Sequence, residues 1–158
     1  MAKADAKNVD VRLCAIVPVY RHEKASRAVV EKLVSYNLPV ILVDDGNAPE
    51  GHEILVQITK EFPNVELVTH KVNRGKGGAV RSGMEAAVAA GYTHALQVDA
   101  DGQHDMEAIP FFIKAAKKHP ADMICGFPQY DDSVPKSREN GRKVTNFWVA
   151  VETLSKDI

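Results

Sequence analysis

Three short stretches carry residues that could do chemistry. In "DADGQH" (99–104), Asp99 and Asp101 stand one residue apart, with Gln103 and His104 behind them. In an extended segment residues i and i+2 point to one side, and two carboxylates on one side repel unless a cation lies between them. Hard oxygen ligands at this spacing suit Mg²⁺ or Mn²⁺, which would then bridge to phosphates; Gln103 continues the series and can add a carbonyl oxygen. A solvated acidic turn has the same residues, and His104 fits either reading. In "NRGKGG" (73–78), Asn73, Arg74 and Lys76 supply donors, while Gly75, Gly77 and Gly78 let the backbone approach a phosphate. The stretch fits neither G-x-x-x-x-G-K-[ST] nor G-x-G-x-x-G, and a glycine-rich turn with solvated charges is its plainer reading. In "DDGN" (44–47), Asp44 and Asp45 can accept from a ribose hydroxyl or a base N–H. They can also simply build an Asx turn in which Gly46 takes φ > 0.

The elements that must position these stretches follow from the apolar pattern. Apolar runs at 12–19, 39–44, 65–70, 94–99 and 122–127 are largely continuous and rich in β-branched residues, as strands buried on both faces of a parallel sheet are. Between them the spacing predicts four helices. The first, over 23–36, puts Ala25, Val29, Val30, Leu33 and Val34 on one face; the second, over 50–62, turns Ile54, Leu55 and Ile58 inward. The third, over 78–90, is rich in small residues suited to close packing on a sheet and ends at Gly91; the fourth, over 106–119, stops at Pro120. Alternating strands and helices predict a three-layer α/β/α sandwich with a mainly parallel sheet in one domain, 1–158, preceded by a flexible tail at 1–10. In such a sheet ligands bind beyond the carboxyl ends of the strands, and all three stretches fall there.

Composition narrows the partners. The net charge of −1, with both signs interspersed, argues against a general nucleic-acid binder. Cys14 and Cys125 each sit in an apolar run and read as buried free thiols, which fits a reducing, cytoplasmic setting. The first nine residues lack the apolar core of a signal peptide, and no run approaches the roughly 18 apolar residues of a membrane span. Beyond 127 a polar loop precedes a helical stripe of Val144, Phe147, Trp148, Val151 and Leu154. The stripe reads first as core, with an acceptor- or membrane-facing surface, or a self-associating one, as the other readings.

Taken in order, "AIVPVY", "VILVDDGN", "NRGKGGAVRSGM" and "ALQVDADGQHD" resemble the family 2 glycosyltransferases of the GT-A fold, in particular bacterial members similar to dolichyl-phosphate mannose synthase. The likeness spans 12–158 and is specific for family and fold, not for sugar or acceptor. It implies a nucleotide-diphosphate sugar, UDP- or GDP-linked, as donor, inversion at the anomeric carbon, and an acceptor that is a glycan or a lipid phosphate at the inner face of the membrane. It also implies roles. Pro18, Tyr20 and Glu23 would line the base pocket, Asp44 would bind the base with Asp45 close by, and Arg74, Gly75 and Lys76 would lie along the nucleotide. Asp99 and Asp101 would flank the ribose and the metal, Ala100 between them would adjoin the nucleotide sugar, and Asp101, with Asp99 and Gln103, would hold Mg²⁺ or Mn²⁺. Arg138 and Arg142 are the acceptor-side cations, against the plainer reading of a solvated basic loop. Arg21 stands where the family commonly has Asn. Relatives continue further, so the chain is expected to lack the acceptor-side part that holds the catalytic base. A non-catalytic nucleotide-sugar-binding module is the alternative. A sugar-phosphate nucleotidyltransferase is a weaker one, because "PVYRHE" has no glycine.

Overall fold

The apolar run around Ile16 forms the strand about which everything else is arranged. The computed structural model describes residues 10–126, and in it β1 (Leu13–Val19), β2 (Val40–Asp44), β3 (Val65–Thr69) and β4 (His94–Gln97) make one sheet in the order β3-β2-β1-β4. All three pairings are parallel, with Ala15 opposite Val40, Val40 opposite Val65 and Leu13 opposite His94. The connections are α1 (Glu23–Ser35), α2 (Pro49–Glu61) and α3 (Gly75–Ala89); a 3-10 turn at Met106–Ala108 leads into α4 (Ile109–Lys118). The chain divides into two compact units, Met1–Ile124 and Cys125–Ile158, and these elements belong to the first.

The layers follow from strand alternation. Ala15, Val17, Val19, Val40 and Leu42 face α1 and α2, meeting Val29, Val30, Leu33, Leu55 and Ile58 in the larger core. Cys14, Ile16, Ile41 and Val43 face the other way, onto Ala79 and Ala87 of α3. Close approach of α3 depends on Gly83, where an added Cβ would collide with the Ile16 side chain and come within 3.2 Å of Val43 Cγ2. The expected α/β sandwich is thus the fold observed, and the small-residue helix packs as its composition predicts.

Several expectations need correction. Only β1 and β2 are buried on both faces; β3 and β4 are partly exposed, because each has a neighbouring strand on one side only among the described residues. No strand forms over 122–126, where every residue is exposed. Cys14 is fully buried, but Cys125 is exposed, contrary to the reading of two buried thiols. The third helix starts at Gly75, not 78, so the basic glycine stretch forms its first turn. The fourth helical segment begins as a 3-10 turn, capped by Asp105 accepting from the Glu107 N–H, and becomes α-helical at Ile109, just before Pro110. Residues 1–9 and everything from 127 on, including Arg138, Arg142 and the stripe from Val144 to Leu154, lie outside the described residues.

Candidate functional site

The site is built at the carboxyl end of β1, the point where strand order reverses: the chain passes from β1 to β2 on one side, while β4 lies on the other. Such switch points open a crevice. Here the β1 ladder to β4 ends with Ile16 opposite Gln97, followed by one bond from Val98 N–H to Ile16 C=O. Pro18, two residues on, faces the same side as Ile16 and has no N–H to extend the ladder. The strands can therefore part above Pro18, and the loops after β1, β2, β3 and β4 surround the opening.

Asp44 and Asp45 close β2, and both are buried, at 1% and 2% exposure. Asp44 Oδ1 accepts from the Asn47 backbone N–H (2.9 Å) and from Asn47 Nδ2 (2.7 Å), and Asp44 Oδ2 lies 2.7 Å from His52 Nδ1. Asn47 also donates to Val19 C=O (2.9 Å) and accepts the Arg21 N–H (2.7 Å), which joins the ends of β1 and β2. Gly46 takes φ +77°, and a Cβ there would sit 2.5 Å from Asn73 N. Gly46 thus takes the positive φ expected of it, but the Asp44 side chain bonds the N–H three residues on and not two, so the turn is not an Asx turn; both Asp44 oxygens have internal partners. Asp45 differs. Its Oδ1 takes His70 Nδ1 at 2.7 Å and the Arg74 N–H at 2.9 Å, while Oδ2 has no hydrogen-bond partner among the described residues.

The β1 loop supplies Tyr20, 38% exposed, with the Arg21 guanidinium 5.0 Å from its ring centroid. Arg21 has φ +61°, a left-handed conformation that Asn tolerates and Arg does not favour. Glu23 opens α1, and its Oε2 is buried without a hydrogen-bond partner among the described residues. Its carboxyl carbon lies 3.2 Å from where a Cβ on Gly51 would be, so the missing side chain at the start of α2 makes room for it.

Opposite stand α3 and the β4 loop. The first turn of α3 has no side-chain cap on its N-cap Arg74, and the space beside Gly75 and Gly77 is open. Lys76 Nζ reaches across to Asp99, 2.7 Å from each carboxylate oxygen. Gln97 Nε2 donates to Asp99 Oδ1 at 2.7 Å, and His104 Nε2 stands 3.4 Å from Oδ2. Partial burial alone would raise the Asp99 pKa, but the Lys76 hydrogen bond and the Lys76 and His104 charges outweigh it and hold it below the ordinary carboxylate value. Val98 and Ala100 are buried while Asp99 and Asp101 alternate outward, as the spacing predicts. The two carboxylates are nevertheless held differently. Asp99 is engaged by Lys76 and Gln97, whereas Asp101 Oδ1 accepts the Gln103 N–H (3.0 Å) in a turn with Gly102 at φ +73°. Among the described residues no three His, Cys, Asp or Glu side chains gather closely enough to hold a metal by themselves. A donor set of one or two carboxylates fits a Mg²⁺ or Mn²⁺ that keeps waters and substrate phosphates as its remaining ligands.

The structure thus brings Pro18, Tyr20, Asp44, Asp45, Arg74, Gly75, Lys76, Asp99 and Asp101 to one end of the sheet. Ala100 turns its side chain into the core, so only its backbone can face a ligand. Sequence reasoning missed Asn47, His52, His70 and Ser82. Their signal was positional: His70 ends the third apolar run, and Asn47 sits three residues after Asp44.

Comparison with known proteins bears on the family and the fold. The family model "Glycosyl transferase family 2" matches residues 14–156. A UDP-N-acetylglucosamine–dolichyl-phosphate N-acetylglucosaminyltransferase from Methanococcus voltae is 28% identical over 92% of this chain and 63% of its own length. A dolichyl-phosphate beta-glucosyltransferase from Trichomonas vaginalis is 29% identical over 68% of this chain and 37% of its own. The chain therefore spans less than two thirds of these relatives. Among solved structures, a mannosyltransferase from Pyrobaculum calidifontis, in complex with GDP-Man and Mn²⁺, superposes with a TM-score of 0.55 at 21% identity, covering 77% of this chain and 38% of that one. That likeness establishes the GT-A fold.

Proposed function

The chain belongs to glycosyl transferase family 2, and from that premise we propose that it takes a sugar from a UDP- or GDP-linked donor and passes it, with inversion, to a polyprenyl phosphate. The acceptor class is supported by relatives named for dolichyl-phosphate substrates. The observation that carries the reading is the contact between Lys76 and Asp99, 2.7 Å long. It joins the first turn of α3 to the acidic loop of β4, the two parts needed to hold a nucleoside diphosphate.

In this reading Tyr20 offers its ring to the base, and Glu23 Oε2 and Asp45 Oδ2, neither of which has a hydrogen-bond partner among the described residues, accept from base or ribose donors. Asp44 shapes that edge through Asn47 instead of touching the base itself. The Arg74 and Gly75 N–H groups are taken by Asp45 and Asn73, so the following N–H groups of the first turn of α3 and the Lys76 ammonium are the donors that would face the diphosphate, whose charge they would stabilise as the sugar departs. Asp101, with the Gln103 carbonyl and Asp99 adjoining, would hold the divalent cation. When bound, that cation supplies a Lewis acid on the diphosphate oxygens of the leaving group. We place the reaction on the cytoplasmic side; among the described residues no helix is long and apolar enough to cross a membrane.

Calorimetry with UDP or GDP, with and without Mn²⁺, tests it. Metal-dependent binding is expected, weakened about tenfold or more in Asp101→Ala. Absence of nucleotide binding, or an unchanged affinity in Asp101→Ala, would overturn the metal–diphosphate assignment. Transfer from a UDP- or GDP-sugar to a short polyprenyl phosphate, with the product's anomeric configuration read by NMR, tests activity and inversion.

A further inference from the structure

We propose that His70 is a positioning residue for nucleotide binding, fixing the Asp45 carboxylate so that one oxygen is left for the nucleotide. The inference rests on the nucleotide-sugar reading above and adds a residue to it. His70 follows β3 directly and is 6% exposed. Its Nδ1 lies 2.7 Å from Asp45 Oδ1 and its Nε2 lies 2.9 Å from Ser82 Oγ, in the middle of α3.

The direction of this chain follows from its chemistry. An ionised carboxylate only accepts, so Nδ1 carries the proton and donates to Asp45. In the neutral ring Nε2 then accepts the Ser82 hydroxyl, which fixes the tautomer from the far end. Asp45 Oδ1 also receives the Arg74 N–H at 2.9 Å. Two donors from two elements, the end of β3 and the start of α3, therefore hold the same oxygen. A carboxylate held at one oxygen cannot turn freely, and its other oxygen, Oδ2, is presented in a fixed direction. A buried carboxylate with one such acceptor left over recognises a neutral N–H or O–H donor, as the base and ribose of a nucleotide provide.

The order of groups, Ser82, His70, Asp45, is also that of an acyl-transfer triad. The His70 side chain, however, is only 4% exposed, and Ser82 packs within a helix that lies on the sheet. No carbonyl carbon could reach the serine with the imidazole beside it. The arrangement orients; it does not attack.

Two substitutions separate positioning from packing. Asn places its Nδ2 where His carries Nδ1, so His70→Asn keeps the donor to Asp45. Gln places its Nε2 where His carries Nε2, so His70→Gln keeps only the Ser82 end. Binding of UDP and GDP with Mn²⁺ is measured by calorimetry beside the melting temperature of each variant. Both variants should melt lower than the parent by similar amounts. The dissociation constant of His70→Asn should stay within about threefold of the parent, and that of His70→Gln should rise about tenfold or more. Ser82→Ala, which frees the ring at its far end, should raise it about threefold. Equal weakening in His70→Asn and His70→Gln, or none in either, overturns the proposal. If both fail to fold, an unchanged constant in Ser82→Ala overturns it. If the parent chain binds neither nucleotide, the nucleotide-sugar reading falls first and this inference with it.

Discussion

Arg21 shows how much one backbone angle can explain. The resemblance puts Asn at this position, and the backbone suits it: φ is +61° there, a left-handed conformation that costs most L-residues about 1–2 kcal/mol and Asn less. The Arg21 guanidinium recovers part of that cost by lying over the Tyr20 ring. Arg21→Asn should therefore raise stability modestly, by about 0.5–1 kcal/mol, measured by urea denaturation with an unchanged m-value. The two cysteines differ as sharply. Burial pushes the Cys14 thiol up to about 11, with Glu66 adding to the rise, and its side chain is fully enclosed, whereas Cys125 is exposed. Iodoacetamide at neutral pH should label Cys125 in the folded chain and reach Cys14 only after unfolding, as mass spectrometry of digests would report.

At the scale of elements, α3 carries the largest share of the consequences. It lies on β1 and β2 with Ala79, Gly83 and Ala87 buried against the sheet. Its first turn is the glycine-rich stretch that alone reads as a loop. Glycine is a poor helix former, by roughly 1 kcal/mol each, so this turn is held by tertiary contacts: Arg74 N–H on Asp45, and Lys76 on Asp99. Gly83→Ala is a sensitive test of how closely α3 lies. Local helix propensity favours alanine, yet the new methyl group would strike Ile16. Destabilisation of about 1–3 kcal/mol is expected, visible as a lower melting temperature; a stabilised variant would mean the helix can lift without penalty.

For the whole molecule, the order β3-β2-β1-β4 matters most, since it sets the crevice above Pro18 between loops far apart in sequence. The contact between Lys76 and Asp99 spans it, and its pH dependence follows from the direction of the Asp99 shift. The carboxylate is held below its ordinary value of 3.8 chiefly by Lys76 working against burial. Its stabilising contribution is then complete above that ordinary value and is lost as pH falls through the lowered one. The stability difference between the parent chain and Lys76→Met should be constant above about pH 5 and shrink below about pH 4, measured by thermal unfolding across that range. Nucleotide bound in the crevice should stabilise the entire fold. At one hundred times the dissociation constant, UDP or GDP with Mn²⁺ should add about 2.7 kcal/mol, read as a rise in melting temperature.

By itself the sequence determined the class of fold, the strands at 12–19 and 39–44, and the candidate stretches at 44–47, 73–78 and 99–104. Continuous β-branched runs and punctuating glycines are local signals, and each stretch follows an apolar run directly. What only the tertiary structure decided is which of these polar groups meet. That Lys76 holds Asp99, that Asp44 turns inward to Asn47 and His52, and that His70 links Asp45 to Ser82 all depend on strand order and on how near α3 comes to the sheet. That 122–126 forms no strand and that Cys125 is exposed among the described residues were likewise not legible in the local pattern. An apolar run is buried only if a neighbouring layer exists to cover it, and neighbours are set by topology, which no local pattern contains.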